Sequence, residues 1–119
     1  MNKSVTTLVA IAGVLMLAGC TAAPAAQSPT PLDRTSEVRA AAGEHVISAL
    51  EVEPGRINVA TDLVDPRGEN GSAAALAAVG ICEAVVKLPN IEHVTVAESD
   101  GTAFVLYGHP SVGNACTEI

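Results

Sequence analysis

The chain has 119 residues, 49% of them apolar, with only two aromatic side chains, Phe104 and Tyr107, and a formal net charge of -7. So acidic a balance excludes recognition of nucleic acid or of anionic headgroups, which depends on clustered Lys and Arg. Two aromatics are too few for base-stacking platforms or for the cages that hold quaternary ammonium groups.

The first twenty residues are the most informative. An apolar run from 8 to 19 follows Lys3, well short of the roughly 20 residues that span a bilayer, which marks the h-region of a signal peptide. It closes on Leu17-Ala18-Gly19-Cys20. This tetrapeptide resembles the lipobox of bacterial lipoproteins, and the resemblance implies cleavage before Cys20, a diacylglyceryl thioether on its sulfur, and anchoring at the extracytoplasmic face of the cell membrane. Two or more acyl chains give stable attachment where one does not. Residues 1–19 are thus expected as the signal, 20–32 as the lipidated cysteine and a Pro/Ala/Thr-rich linker, and 33–119 as one small α+β domain. With Cys20 assigned to lipid, Cys82 and Cys116 are left as a pair in an oxidising compartment, and a disulfide between them is expected. Loss of Lys3 with the signal leaves five basic against thirteen acidic residues, a net charge near -8. The linker has three prolines and no branched apolar residue between 21 and 31, the composition of an extended spacer.

The domain opens with Asp33, Thr35 and Ser36 as candidate caps and with Val38, Ala42, Val46, Ala49 and Leu50 at helical spacing, which predicts a helix over 35–50. Gly43 weakens that pattern, and the alternative ends the helix there and starts a strand at His45. Pro54-Gly55 has the signature of a type II turn. Ile57, Val59, Thr61 and Leu63 then alternate with Asn58, Ala60 and Asp62, a half-buried strand over 56–63. The following loop, 65–71, adds Asp65, Glu69 and Asn70 to Asp62, oxygens suited to a cation such as calcium, though their spacing is not that of an EF-hand. Asn70-Gly71-Ser72 also matches a glycosylation sequon, but Ser72 is better explained as a helix cap.

A second helix is expected over 73–88, with Ala74, Ala78, Ile81, Val85 and Leu88 facing a sheet, Cys82 on the flank, and Glu83 and Lys87 paired one turn apart. Ser99-Asp100-Gly101 separates strands at 92–98 and 102–107, and Asp-Gly there predicts a two-residue type I′ hairpin. Its register would set Val96 against Val105 and Val94 against Tyr107 on one face, and Ala97 against Phe104 and Thr95 against Leu106 on the other. The resulting fold is a two-layer α+β sandwich of order α-β-α-β-β, a three-stranded mixed sheet with two helices on one face and one disulfide. Its second face is either partly exposed or covered by the tail, 108–119.

Chemistry is sparse in this chain. His109-Pro110-Ser111-Val112-Gly113 brings a histidine near a serine, but it lacks the first glycine of a nucleophile elbow and reads as a turn. No Gly-rich phosphate loop, no metal-spaced Cys/His cluster and no other cofactor motif is present in the sequence. The segments 62–68 and 98–108 are similar to parts of small uncharacterised actinobacterial lipoproteins and secreted proteins, a resemblance that implies no activity. A second similarity, of Asp100-Gly101 and the Val-Leu-Tyr-Gly run ending at Gly108, is to the BON domain of the bacterial envelope, whose order of elements differs. The sequence therefore points to a non-catalytic envelope module that meets a protein or ligand. Asp62, Asp65, Glu69, Tyr107 and His109 are its candidate contact residues. A small hydrolase or metal-dependent enzyme built on His109, Ser111 and the loop 62–70 is the alternative.

Overall fold

The computed structural model describes residues 30–119. The segments expected as signal, lipobox with Cys20 and linker up to residue 29 lie outside the described residues. The elements in order are β1 (Leu32–Asp33), α1 (Thr35–Ala42), β2 (Val46–Glu53), β3 (Arg56–Thr61), α2 (Ala73–Val86), β4 (His93–Ala97), β5 (Ala103–Tyr107) and β6 (Thr117–Glu118). All six strands form one mixed sheet in sequence order, with β3 and β4 parallel and the other neighbours antiparallel. The α+β class and the two helices agree with expectation. The three-stranded sheet and the order α-β-α-β-β do not.

The largest correction falls on 35–50, half helix and half strand. Gly43 adopts φ 96°, which a helix cannot continue, and its N–H returns to the Arg39 carbonyl. Beyond it Val46 and Ile47 are β-branched and favour extended backbone. The helical spacing of Val46 and Ala49 with Val38 arises because both strand residues and Val38 point into the same core. Pro54-Gly55 then turns β2 into β3 with Gly55 at φ 79°, as a type II turn requires. Gly55 is buried, and its carbonyl accepts the N–H groups of Glu92 and His93, which ties the turn to the start of β4.

From β3 the chain crosses through α2 to β4, with Val59 opposite Val96 in parallel register. Ser72 caps α2 as anticipated, its hydroxyl accepting the Ala75 N–H at 3.1 Å. The buried stripe is Ala75, Ala78, Ile81, Cys82 and Val85. It is turned slightly from the predicted one, so that Cys82 lies in the core and not on the flank. Val38 of α1 joins these residues with Val46, Ala49, Ile57, Val59, Val94, Val96, Phe104 and Val105 in a single core.

The β4–β5 hairpin keeps three of its four predicted pairs, Val94 with Tyr107, Thr95 with Leu106 and Val96 with Val105, but Ala97 meets Ala103 and not Phe104. Phe104 is thus the extra residue of a bulge, and both it and Val105 are buried. Simple alternation would have left its ring on the open face; the bulge turns it inward. The turn differs as well. Gly101 alone has positive φ (88°), and bonds run from Gly101 N–H to the Glu98 carbonyl and from Glu98 N–H to the Thr102 carbonyl. That is a three-residue loop with a type I turn and a left-handed glycine, not a type I′ pair.

The tail does not cover the second sheet face. It passes to the helix side, where Cys116 is bonded to Cys82 and the Glu118 carboxylate accepts the Gly71 N–H. Ser48, Leu50, Asn58, Thr95 and Leu106 lie on the other sheet face, which no element among the described residues covers.

The stretch of β2 that the short β1 leaves unpaired, 46–49, is closed by α1. The Arg39 guanidinium donates to the carbonyls of Val46 and Ile47 at 3.0 Å each, and the Thr35 hydroxyl accepts the Ala49 N–H. A bare edge beside the exposed Ile47 would be a template for strand pairing. Arg39→Ala is expected to cost about 1 to 2 kcal/mol through two lost carbonyl partners and to promote self-association. Sedimentation and thermal melting of the variant check both effects; wild-type sedimentation together with wild-type stability would contradict them.

Candidate functional site

The five sequence-derived contact residues fall at opposite ends of the sheet, because β5 runs antiparallel to β4. Asp62, Asp65 and Glu69 lie beyond the C-terminal end of β3, whereas Tyr107, opposite Val94 near the start of β4, and His109 lie at the far end. They form two surfaces, not one.

At the first end, Asp62 is exposed, and its Oδ1 stands 2.7 Å from His45 Nδ1. The loop is pinned by Glu98, a carboxylate only 4% exposed. One Glu98 oxygen accepts the Asp65 N–H at 2.8 Å, and the other pairs with the Arg67 guanidinium, which also approaches Asp100 at 3.6 Å. Arg67 itself sits at φ 57° with its N–H on the Asp65 carboxylate. The acidic cluster therefore consists largely of internally satisfied pairs that fix a loop to a hairpin. Glu69 is exposed. Among the described residues no three His, Cys, Asp or Glu side chains converge as a metal site would need.

Three exposed carboxyls are held below their usual range: Asp33 by the hydroxyl and N–H of Thr35, Glu37 by its hydrogen bond with Arg34, and Asp100 by the N–H and hydroxyl of Thr102. Reciprocally, Glu37 foremost raises the pKa of Arg34. Carboxyl pKa values depressed on folding mean that the unfolded chain binds more protons at acid pH. Their stabilisation is complete above the ordinary carboxylate range and is lost as pH falls below it. Thermal melting is expected to decline between about pH 5 and pH 2, with a shallower decline in Asp33→Asn and Asp100→Asn. Identical profiles in these variants would refute the assignment.

At the second end, the turn 108–113 is closed by Gly108 N–H to the Gly113 carbonyl and by Val112 and Gly113 N–H to the His109 carbonyl. His109 Nδ1 lies 2.7 Å from Ser111 Oγ and accepts the Ser111 N–H at 3.2 Å. With Nδ1 accepting that N–H, the neutral ring carries its proton on Nε2. Both side chains are exposed. A serine and a base are thus in contact, but among the described residues no third group bonds Nε2 to orient the imidazole.

Beside this turn is a groove of about 360 Å³. The end of α2 supplies Glu83 and Val86 and its C-cap supplies Lys87, β5 supplies Tyr107, and the strap Asn114 to Cys116 completes the lining. The disulfide holds that strap against α2, with Cα atoms 6.0 Å apart. Glu83 and Lys87, expected as an ion pair, are both exposed and form none. Of the groove residues Tyr107 is the one expected from the sequence as a contact residue, and Cys116 the one expected in the disulfide. The signal for the rest lay in the cysteines, since a bond from 82 to 116 brings 83–87 beside 114–115.

Comparison with protein-family models, with curated proteins and with solved structures finds no match.

Proposed function

We propose that the chain is a lipid-anchored, extracytoplasmic binding module without catalysis of its own, and that it recognises its ligand in the groove beside the Cys82–Cys116 disulfide. The groove carries this reading. Its size suits a small ligand, and apolar walls at Val86, Ala115 and the Tyr107 ring surround a few polar groups. The anchor rests on Leu17-Ala18-Gly19-Cys20, and a disulfide in so small a domain accords with an oxidising compartment.

Two experiments test the two halves. Cys20→Ala is expected to move the protein from the detergent phase to the aqueous phase; unchanged partitioning would remove the anchor. A fragment panel screened by amide chemical shifts is expected to perturb Glu83, Lys87, Tyr107 and Asn114. Hits confined to other surfaces would defeat the binding site.

Hydrolysis at Ser111 is the second reading, favoured by its 2.7 Å contact with His109 Nδ1. Fluorophosphonate labelling that disappears in Ser111→Ala would support it over the first. The exposed turn, with a single base and no third group, argues for its absence.

A further inference from the structure

The positive charges of the fold are almost all spoken for. Arg34 pairs with Glu37 and Glu51, Arg56 with Glu53, and Arg67 with Glu98 and Asp100, while Arg39 donates to two backbone carbonyls. Lys87 is the remaining cation among the described residues, and it lines the groove. One helical turn before it on the same wall stands Glu83, also without an ion-pair partner. Residues four apart on a helix have Cβ atoms about 5 to 6 Å apart, so opposite charges stand side by side at one rim of a half-apolar hollow.

We infer that the groove takes a small zwitterion, an α-amino acid with a compact apolar side chain, its carboxylate on Lys87 and its ammonium on Glu83. The inference rests on the binding role proposed above. The overall charge of -7 repels simple anions from the surface but exerts no net pull on a molecule of zero charge. Charge-assisted bonds at both ends fix its orientation. The Tyr107 hydroxyl and the Asn114 amide offer further partners, while Val86, Ala115 and the tyrosine ring receive the side chain. Because one wall is the strap, the site depends on the Cys82–Cys116 bond.

The test is calorimetric titration of the oxidised full chain in detergent with L-valine, beside isovalerate and isobutylamine, which lack the ammonium and the carboxylate respectively. Valine is expected to bind saturably with Kd below about 1 mM. Each singly charged analogue should bind at least about ten-fold more weakly, as should valine to Lys87→Met and Glu83→Gln. Melting temperatures close to wild type verify that these two variants fold. Absence of saturable valine binding overturns the inference, as does equal binding by either analogue or by both variants. The fragment panel separates the two levels: if fragments still perturb the groove, the ligand class alone is wrong, and if they do not, the binding site falls with it.

Discussion

Phe104→Ala is expected to cost about 3 to 5 kcal/mol, the loss seen when a large aromatic is truncated in a core that cannot collapse. Phe104 is 2% exposed and is the largest fully buried side chain among the described residues. It owes that position to the bulge opposite Val96 and Ala97, which points it and Val105 to the same side. The neighbours around it are mostly valine and alanine, short side chains with little reach to refill the space. A domain of this size holds roughly 5 to 15 kcal/mol in total, toward the lower end for so small a core. The melting temperature should fall by roughly 12 °C or more, or the fold should be lost. Differential scanning calorimetry would decide, and a cost below about 1 kcal/mol would mean that the ring contributes little to the core. Phe104→Leu, which keeps most of the apolar volume, should recover a large part of the loss.

The second large effect is removal of the disulfide. Cys82 and Cys116 are 34 residues apart in sequence, and constraining a loop of that length in the unfolded chain stabilises by about 3 to 4 kcal/mol. Cys82 is fully buried and Cys116 half-buried, so the double variant Cys82→Ala with Cys116→Ser leaves no charged group in the core. Urea unfolding of this variant against the oxidised wild type measures the difference, and a difference under about 1 kcal/mol would contradict it. The loss should also be uneven. With the bond gone, β6 is held by its short ladder to β5, by the Ile119 N–H on the Phe104 carbonyl and by Glu118 on the Gly71 N–H. Amide exchange should accelerate most in 114–119 and least in β3 and β4.

Elements defined by local chemistry were legible in the sequence: the Ser72 cap, the Pro54-Gly55 turn, the alternation of β3 and the pairs Val94 with Tyr107 and Val96 with Val105. The disulfide was legible through cysteine arithmetic. Positions where two periodicities coincide were not. Val46 and Ala49 satisfy both a helix after Val38 and a strand beside Val59, and only the backbone of Gly43 decides between them. Phe104 was misplaced because a bulge cancels alternation locally, in response to the drive to desolvate an aromatic ring. The two-residue strands at either edge carry almost no periodic signal. The groove residues became visible only when the cysteines were joined in space.

The order of the sheet also has a mechanical meaning. β1 and β6 are its two opposite edges, and at about 4.8 Å per strand the chain enters the fold roughly 24 Å from the far side. A pull exerted through Thr30 would therefore act at the margin most distant from β6 and the strap tied to α2. The two residue pairs of β1 would peel first. Tension would next meet Arg34, whose N–H is bonded to the Ala49 carbonyl and whose guanidinium grips Glu37 and Glu51. Arg34 is thus a stop knot just inside the first strand: a pull on the chain at Thr30 can fray the leading edge while the far margin stays assembled.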